Sequence, residues 1–266
     1  MTLPDWKQKQ LTAHTATGKP VCIIPARKTS VRLPRKNKAI LGGKPLVQHA
    51  IEVAKESQLF SMIVVSSDDM DILEIAYECG VFPHNRPEVI RGKGVQQKEI
   101  CIYVLGLSQV PKTDIFCLLP VTNPFKYASD LIAGYDLIWE KQANYVGSMV
   151  RCSLPSDYAL IEKKGWMVPR RGFQAIKQSQ KYDPEWRYDG AFIFARREVF
   201  EIEFEYGFYG SKVARYELPR RGVDIDTQDD LDYARYLWLK DHPILSTDGT
   251  GAVASLIIPG VNSETI

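Results

Sequence analysis

Apolar positions along this chain fall into short unbroken runs separated by stretches of helical spacing. Residues 21–24 (VCII) make one run, 61–67 (SMIVVSS) a second, 114–120 (DIFCLLP) a third and 144–150 (NYVGSMV) a fourth. Runs this short, with few polar alternates, predict strands buried on both faces. Between them the period changes. Pro45 can open a helix in which Leu46, Ala50, Ile51 and Ala54 recur at helical spacing to about Ser57. Asp68 or Asp69 can cap the next, with Ile72, Ile75, Ala76 and Cys79 on one face and Gly80 as its stop. Residues 128–141 read as helix again.

This βαβα rhythm predicts an α/β fold: a Rossmann-like, mostly parallel sheet with helices on both faces. The rhythm breaks between roughly 151 and 188, where Pro, aromatic and basic residues mix without a period. That stretch, about 152–187, reads as an inserted arm or hairpin. The pattern resumes at 190–195 (GAFIFA) and 212–219 (KVARYELP). A last helix runs from near Thr227 to about Lys240, with Leu231, Ala234, Leu237 and Trp238 on its apolar face. The expected organisation is one domain over 20–240 carrying the arm, an N-terminal extension over 1–19 and a tail over 241–266.

Composition changes this picture little and charge distribution changes it more. The 266 residues are 45% hydrophobic and 25% charged, an ordinary globular balance. A net charge of +2 gives no reason to expect nucleic-acid or membrane affinity for the whole chain. Residues 1–20 lack the apolar core of a secretory signal, and the apolar run at 252–258 is too short to span a bilayer. Five scattered cysteines without a CxxC pair fit a reducing, cytoplasmic setting. Yet no carboxylate occurs between Asp5 and Glu52, while ten Lys or Arg residues do.

Six of those cations, Arg27, Lys28, Arg32, Arg35, Lys36 and Lys38, fall within twelve residues directly after the first strand. Ligands of parallel sheets bind beyond the carboxyl ends of the strands, so this loop lies where a ligand would. Clustered cations repel unless an anion sits among them, and a nucleoside triphosphate brings about four negative charges. A solvated basic loop is the plainer alternative. A nucleic-acid patch is disfavoured because residues 7–48 hold no Phe, Tyr or Trp to stack on bases. No Walker A pattern is present.

A second constellation lies at 223–230 (VDIDTQDD). If residues 223–225 form a strand end, alternation puts Asp224 and Asp226 on one face and buries Ile225 on the other. Two hard carboxylates there suit Mg²⁺, which keeps waters and takes one or two carboxylates plus substrate phosphates. The competing assignment is Asp226 or Thr227 as N-cap of the last helix. His14, His49, His84 and His242 are isolated, and none stands out as a general base.

The stretch IPARKTSVRLPRKNKAILGGKPL resembles the signature of the cytidylyltransferases that activate acidic sugars: CMP-N-acylneuraminate synthetases and their pseudaminate and legionaminate relatives. It keeps the pattern PAR-x-x-S, R-[LI]-P-x-KN and GGKP. The resemblance continues through VVSSDD (64–69), NRPEVI (85–90), LLPVTNP (118–124), WRYDGAFIF (186–194) and VDIDTQDDLDYA (223–234), covering about residues 20–240.

What the resemblance implies is specific. The fold would be of the nucleotidyltransferase type. CTP would lie in the cationic loop, its triphosphate held by Arg27 and Lys36, wrapped by backbone from Ala26 to Ser30, with Asn37 in the same motif and Arg86 near cytosine or phosphates. Mg²⁺ would bind Asp224 and Asp226. The nine-carbon acidic sugar would meet Arg187 and Asp189, and Gln178 and Gln180 of the arm. The arm would cross a homodimer, with Trp166, Phe173, Tyr182 and Trp186 as anchors. The chain departs from the pattern at Val31, where relatives carry Lys, at Pro120, where they carry Gln, at Asp189, where they carry Asn, and at Lys93 and Gly94, where they carry Asp. A KDO cytidylyltransferase, a metal-dependent DxD glycosyltransferase and a non-catalytic nucleotide-binding relative are the alternatives.

Overall fold

Strand β1 (Val21–Pro25) shows how the sheet is built. Its four apolar side chains are all buried, but they alternate between two cores. Cys22 and Ile24 join one cluster with Leu46, Ile51, Val65 and Phe194. Val21 and Ile23 join another with Val64, Val104, Phe116 and Phe200. A strand with apolar residues at both parities therefore has helices on both sides. The computed structural model describes residues 18–242 except 93 and 221, together with 246–247 and 253–254. Residues 1–17 of the expected extension over 1–19 and most of the tail over 241–266 lie outside the described residues.

Two short strands, β2 (Ile40–Leu41) and β3 (Lys44–Pro45), lead into helix α1 (Leu46–Glu56). Then follow β4 (Met62–Ser67), α2 (Met70–Glu78), β5 (Phe82–Asn85), α3 (Gln97–Leu105), β6 (Ile115–Leu118), α4 (Ala128–Glu140) and β7 (Tyr145–Arg151). The arm carries β8 (Leu160–Lys163) and β9 (Trp166–Pro169). The chain returns through β10 (Trp186–Arg196), α5 (Arg197–Ile202), β11 (Val213–Tyr216) and α6 (Gln228–Asp241).

Seven strands form one sheet in the order β11-β7-β10-β6-β1-β4-β5. All neighbours are parallel except β10, which runs antiparallel to both β6 and β7. The expected Rossmann-like α/β architecture is therefore present, with one reversed strand. Among the described residues no helix is long and apolar enough to cross a membrane.

Two elements had no counterpart in the sequence expectations. Strand β5 contains Pro83 and His84, which disguise it; it survives because it is the sheet's edge, where a missing N–H breaks no ladder. Helix α3 is apolar nearly all round, so its period is muted. Its start is marked by Glu99, whose Oε2 accepts from the Gln96 N–H at 2.7 Å. In the arm, β8 and β9 pair as an antiparallel hairpin. Their two-residue turn, Lys164-Gly165, takes positive φ at both positions (52° and 80°), the geometry that matches strand twist.

Candidate active site

The carboxyl ends of β1, β4 and β6 meet at one edge of the sheet, and the cationic loop closes over them. Backbone hydrogen bonds fix its beginning: Ala26 N–H donates to Ser66 O at 2.9 Å, and Lys28 N–H donates to Asp68 Oδ1 at 2.7 Å. Asn37 ties the far end back, its Nδ2 donating to Arg27 O at 2.9 Å. Asn37 is thus a loop staple, and Ala26 is fully buried beneath it.

Three of the six cations already have carboxylate partners. Lys38 Nζ reaches Asp71 at 2.5 Å and Asp69 at 2.9 Å, and these contacts raise its pKa. Asp69 also caps α2, accepting from Asp71 N–H at 3.1 Å. Lys36 Nζ donates to Asp226 Oδ1 at 2.7 Å, and Arg32 Nη2 donates to Asp226 Oδ2 at 2.5 Å. Arg27, Lys28 and Arg35 are exposed, and Ser30 is half-buried.

Arg86 stands at the end of β5, only 4% exposed. Its Nε donates to Ser66 Oγ at 3.1 Å and its Nη2 to Ser66 O at 2.8 Å. Burial pulls its pKa down to about 10, while the charge of Asp68 works in the opposite direction. A guanidinium buried on neutral acceptors keeps capacity for an anion.

Residues 223–226 are extended but are not a strand of the sheet, a correction to the expected strand end. The alternation nevertheless holds: Val223 and Ile225 are buried, Asp224 is exposed and Asp226 is half-buried. Ile225 N–H donates to Thr122 O at 2.8 Å, docking the segment on the loop after β6. Helix α6 takes Thr227, not Asp226, as its cap: Thr227 Oγ1 accepts from Asp230 N–H at 3.2 Å while the Asp230 carboxylate accepts from Thr227 N–H at 2.8 Å. Asp226 is therefore not needed for capping. Among the described residues no group of three or more His, Cys, Asp or Glu is placed to hold a metal. A two-carboxylate donor set fits an ion that completes its shell with phosphates and water, as Mg²⁺ does.

Lys126, unremarked in the sequence, lies beneath this segment and is 1% exposed. Its Nζ donates to Pro120 O at 2.8 Å and Asn123 O at 2.6 Å. Burial pulls its pKa down to about 8, and among the groups opposing that shift are the charges of Asp189 and Asp224. Asn123 Nδ2 in turn donates to Asp189 O at 3.0 Å. Only a lysine in an apolar-looking run (NPFKYA) marks this staple in the sequence.

The sugar-side residues are more dispersed. Asp189 is buried and turned inward, its Oδ1 accepting from Ser148 Oγ at 2.5 Å and from Ala191 N–H at 3.0 Å. Arg187 is exposed on β10, with Nη1 3.4 Å from Tyr188 O. Gln178 and Gln180 are exposed on the arm. Val31 is exposed, and Pro120 is buried with its carbonyl on Lys126. His49 and His84 are buried, with pKa values lowered by burial; His49 Nε2 lies 2.8 Å from Leu41 O.

Comparison with known proteins gives this geometry a context. Residues 21–104 match the family model described as "Cytidylyltransferase". The chain is 30% identical over 237 residues to the pseudaminic acid cytidylyltransferase of Campylobacter jejuni subsp. jejuni, covering 84% of this chain and 98% of that protein. The chain belongs to the acylneuraminate cytidylyltransferase family.

As a cytidylyltransferase it has further relatives of the same kind. The CMP-N,N'-diacetyllegionaminic acid synthase of Legionella pneumophila is 28% identical, over 80% of this chain and 93% of that protein. A CMP:2-keto-3-deoxy-manno-octonic acid synthetase, solved as a complex with CTP, shares the fold at a TM-score of 0.63 and 18% identity, covering 84% of this chain and 100% of that one. The family match over 21–104 takes in the cationic loop, the 64–69 segment and Arg86.

Proposed function

We propose that this cytidylyltransferase joins CTP to a nine-carbon 2-keto acid sugar, giving the CMP-sugar and pyrophosphate. One observation carries this reading beyond the family. The cationic loop and the Asp224-Asp226 segment, 190 positions apart, converge so closely that Lys36 touches Asp226. That contact supports reading the anion seat and the metal-ligand pair as one site.

In the reaction, the hydroxyl on the sugar's anomeric C2 forms a bond to the α-phosphorus of CTP. The bond from that phosphorus to the bridging oxygen breaks, pyrophosphate leaves with the electron pair, and the hydroxyl proton passes to solvent. Arg27 and Lys36 contact the phosphates, and Arg86 supplies a buried charge at the same strand ends. Their charges stabilise the negative charge that shifts to the leaving group. Asp224 and Asp226 would hold Mg²⁺, whose charge would neutralise the phosphates. Arg187 is positioned on an exposed strand end to pair with the sugar carboxylate. Asp189, whose carboxylate accepts from Ser148 Oγ and Ala191 N–H, would act by anchoring the turn that carries Gly190.

The arm supports a homodimer. Trp166 and Phe173 are 76% and 77% exposed in the single chain, and Met167 and Leu154 of the same arm are exposed too. Exposed aromatic residues of this size mark interaction surfaces. Tyr182 and Trp186 have partners within the chain: Tyr182 rests edge-on against Tyr158, and the Arg215 guanidinium lies 3.7 Å from the Trp186 ring centre. Five free cysteines support a cytoplasmic setting.

The test is pyrophosphate release from CTP and Mg²⁺ with pseudaminic, legionaminic, sialic and KDO acids in separate reactions. Release with one nine-carbon acid, abolished by Asp224→Ala, is expected. Binding of CTP without release from any of the acids would sink the assignment of substrate.

A further inference from the structure

Asp226 has two carboxylate oxygens, and in this structure each is held by a different cation of the loop: Oδ1 by Lys36 at 2.7 Å and Oδ2 by Arg32 at 2.5 Å. The Lys36 side chain is 11% exposed and the Asp226 side chain 31%, so this contact is partly shielded from solvent, while the Arg32 side chain is 65% exposed. We propose that Asp226 is a stand-in anion for the triphosphate, that Arg32 is the positioning residue that holds it in that role, and that nucleotide and metal binding are coupled through this exchange. The inference rests on reading the loop as the triphosphate seat and Asp224-Asp226 as the metal pair.

The argument is one of mutual exclusion. A phosphate that binds Lys36 and Arg32 must displace Asp226 from them. A metal that binds Asp226 must displace the same two cations. Either ligand alone therefore breaks two charge-assisted contacts and leaves one partner uncompensated. Both together lose nothing, because the phosphates take the cations and the ion takes the carboxylate. Such an exchange makes each ligand strengthen the other by the same factor. In the structure the two cations form a fork around one carboxylate. The neighbouring Asp224 has a different place. It is exposed and lies against Gly190, so deleting its charge leaves the fork intact.

Calorimetric titration of CTP in EDTA, without metal, separates this from simpler roles. Asp226→Asn is expected to bind metal-free CTP about tenfold tighter than wild type, because the competitor is gone. Asp224→Asn removes an equal charge two positions away and is expected to stay within about twofold of wild type. A merely structural ion pair would instead weaken binding when cut. Manganese alone, followed by the loss of its free-ion EPR signal, gives the reciprocal arm. Arg32→Gln is expected to bind Mn²⁺ without nucleotide about fivefold tighter than wild type, and Arg32→Gln combined with Asp224→Ala is expected to lose that gain. Metal-free CTP affinity that is unchanged or lower in Asp226→Asn overturns the coupling while leaving the cytidylyltransferase reading intact. Failure of wild type to bind CTP even with Mg²⁺ overturns both.

Discussion

Gly190 lies against the carboxylate of Asp224 so closely that a β-carbon on it would stand 3.0 Å from Oδ1. The same glycine has φ of 77°, in the left-handed region that side chains disfavour. The positive φ favours glycine beside the first carboxylate of the candidate metal pair, and an added β-carbon would press on that carboxylate.

Gly190→Ala is therefore expected to lower the rate of pyrophosphate release about tenfold or more and to raise the Mg²⁺ concentration needed for half-maximal rate, with a stability loss of about 1–3 kcal/mol. Steady-state kinetics at varied Mg²⁺, with thermal unfolding alongside, checks it. An active variant with unchanged metal dependence would show that Asp224 does not need its present position.

Arg86 supplies a second test. Its guanidinium is buried on Ser66, and on the proposal that it faces the nucleotide, Arg86→Met is expected to raise the KM for CTP about tenfold or more. The KM for the sugar should change far less. An equal rise in both would place Arg86 among residues that merely hold the strand ends together.

Lys126 makes a prediction about pH. Its pKa in the folded chain is pulled down to about 8, below the ordinary lysine value of 10.5. Between those two values the unfolded chain binds more protons than the folded one, so this residue's contribution to stability rises with pH. Below about pH 8 the cost of burying the ammonium is fully present; it is relieved between about pH 8 and 10.5. Compared with Lys126→Met, the wild-type melting temperature should gain as pH goes from 7.5 to about 10. A difference between the two that stays flat, or falls, contradicts the assignment of a depressed pKa.

The arm can be tested by mass. Trp166→Ser with Phe173→Ser removes two large rings that are more than three-quarters exposed among the described residues. Light scattering should find the wild type at twice the mass of one chain and the double variant shifted toward a single chain, with its melting transition retained. Identical masses for both proteins would remove these rings from any interface.

Much of this protein was legible in its consecutive residues. The alternating cores of β1, the Asp69 cap of α2, the helices at 46 and 128 and the hairpin character of the arm all follow from spacing and turn chemistry. So does the cationic loop, whose unbroken run of positive charge is a local fact. Other features had no local trace. Strand β5 is a strand because it sits at an edge that tolerates Pro83, and an edge is a property of the whole sheet. Asp189 looks like a sugar ligand in the sequence and is turned inward because Ser148, on the adjacent strand, offers it a hydroxyl. Lys126 reads as a surface lysine until the loop after β6 folds over it.

The sequence by itself determined most of the segments that become strands and helices and which loop gathers cations, because hydrophobic period and charge density are written over a few neighbouring positions. Only the tertiary structure decided that Lys36 and Arg32 meet Asp226. That meeting depends on the strand order that brings the end of β1 beside the loop after β6, where residues 223–226 dock, and long-range charge pairing is set by topology, not by spacing along the chain.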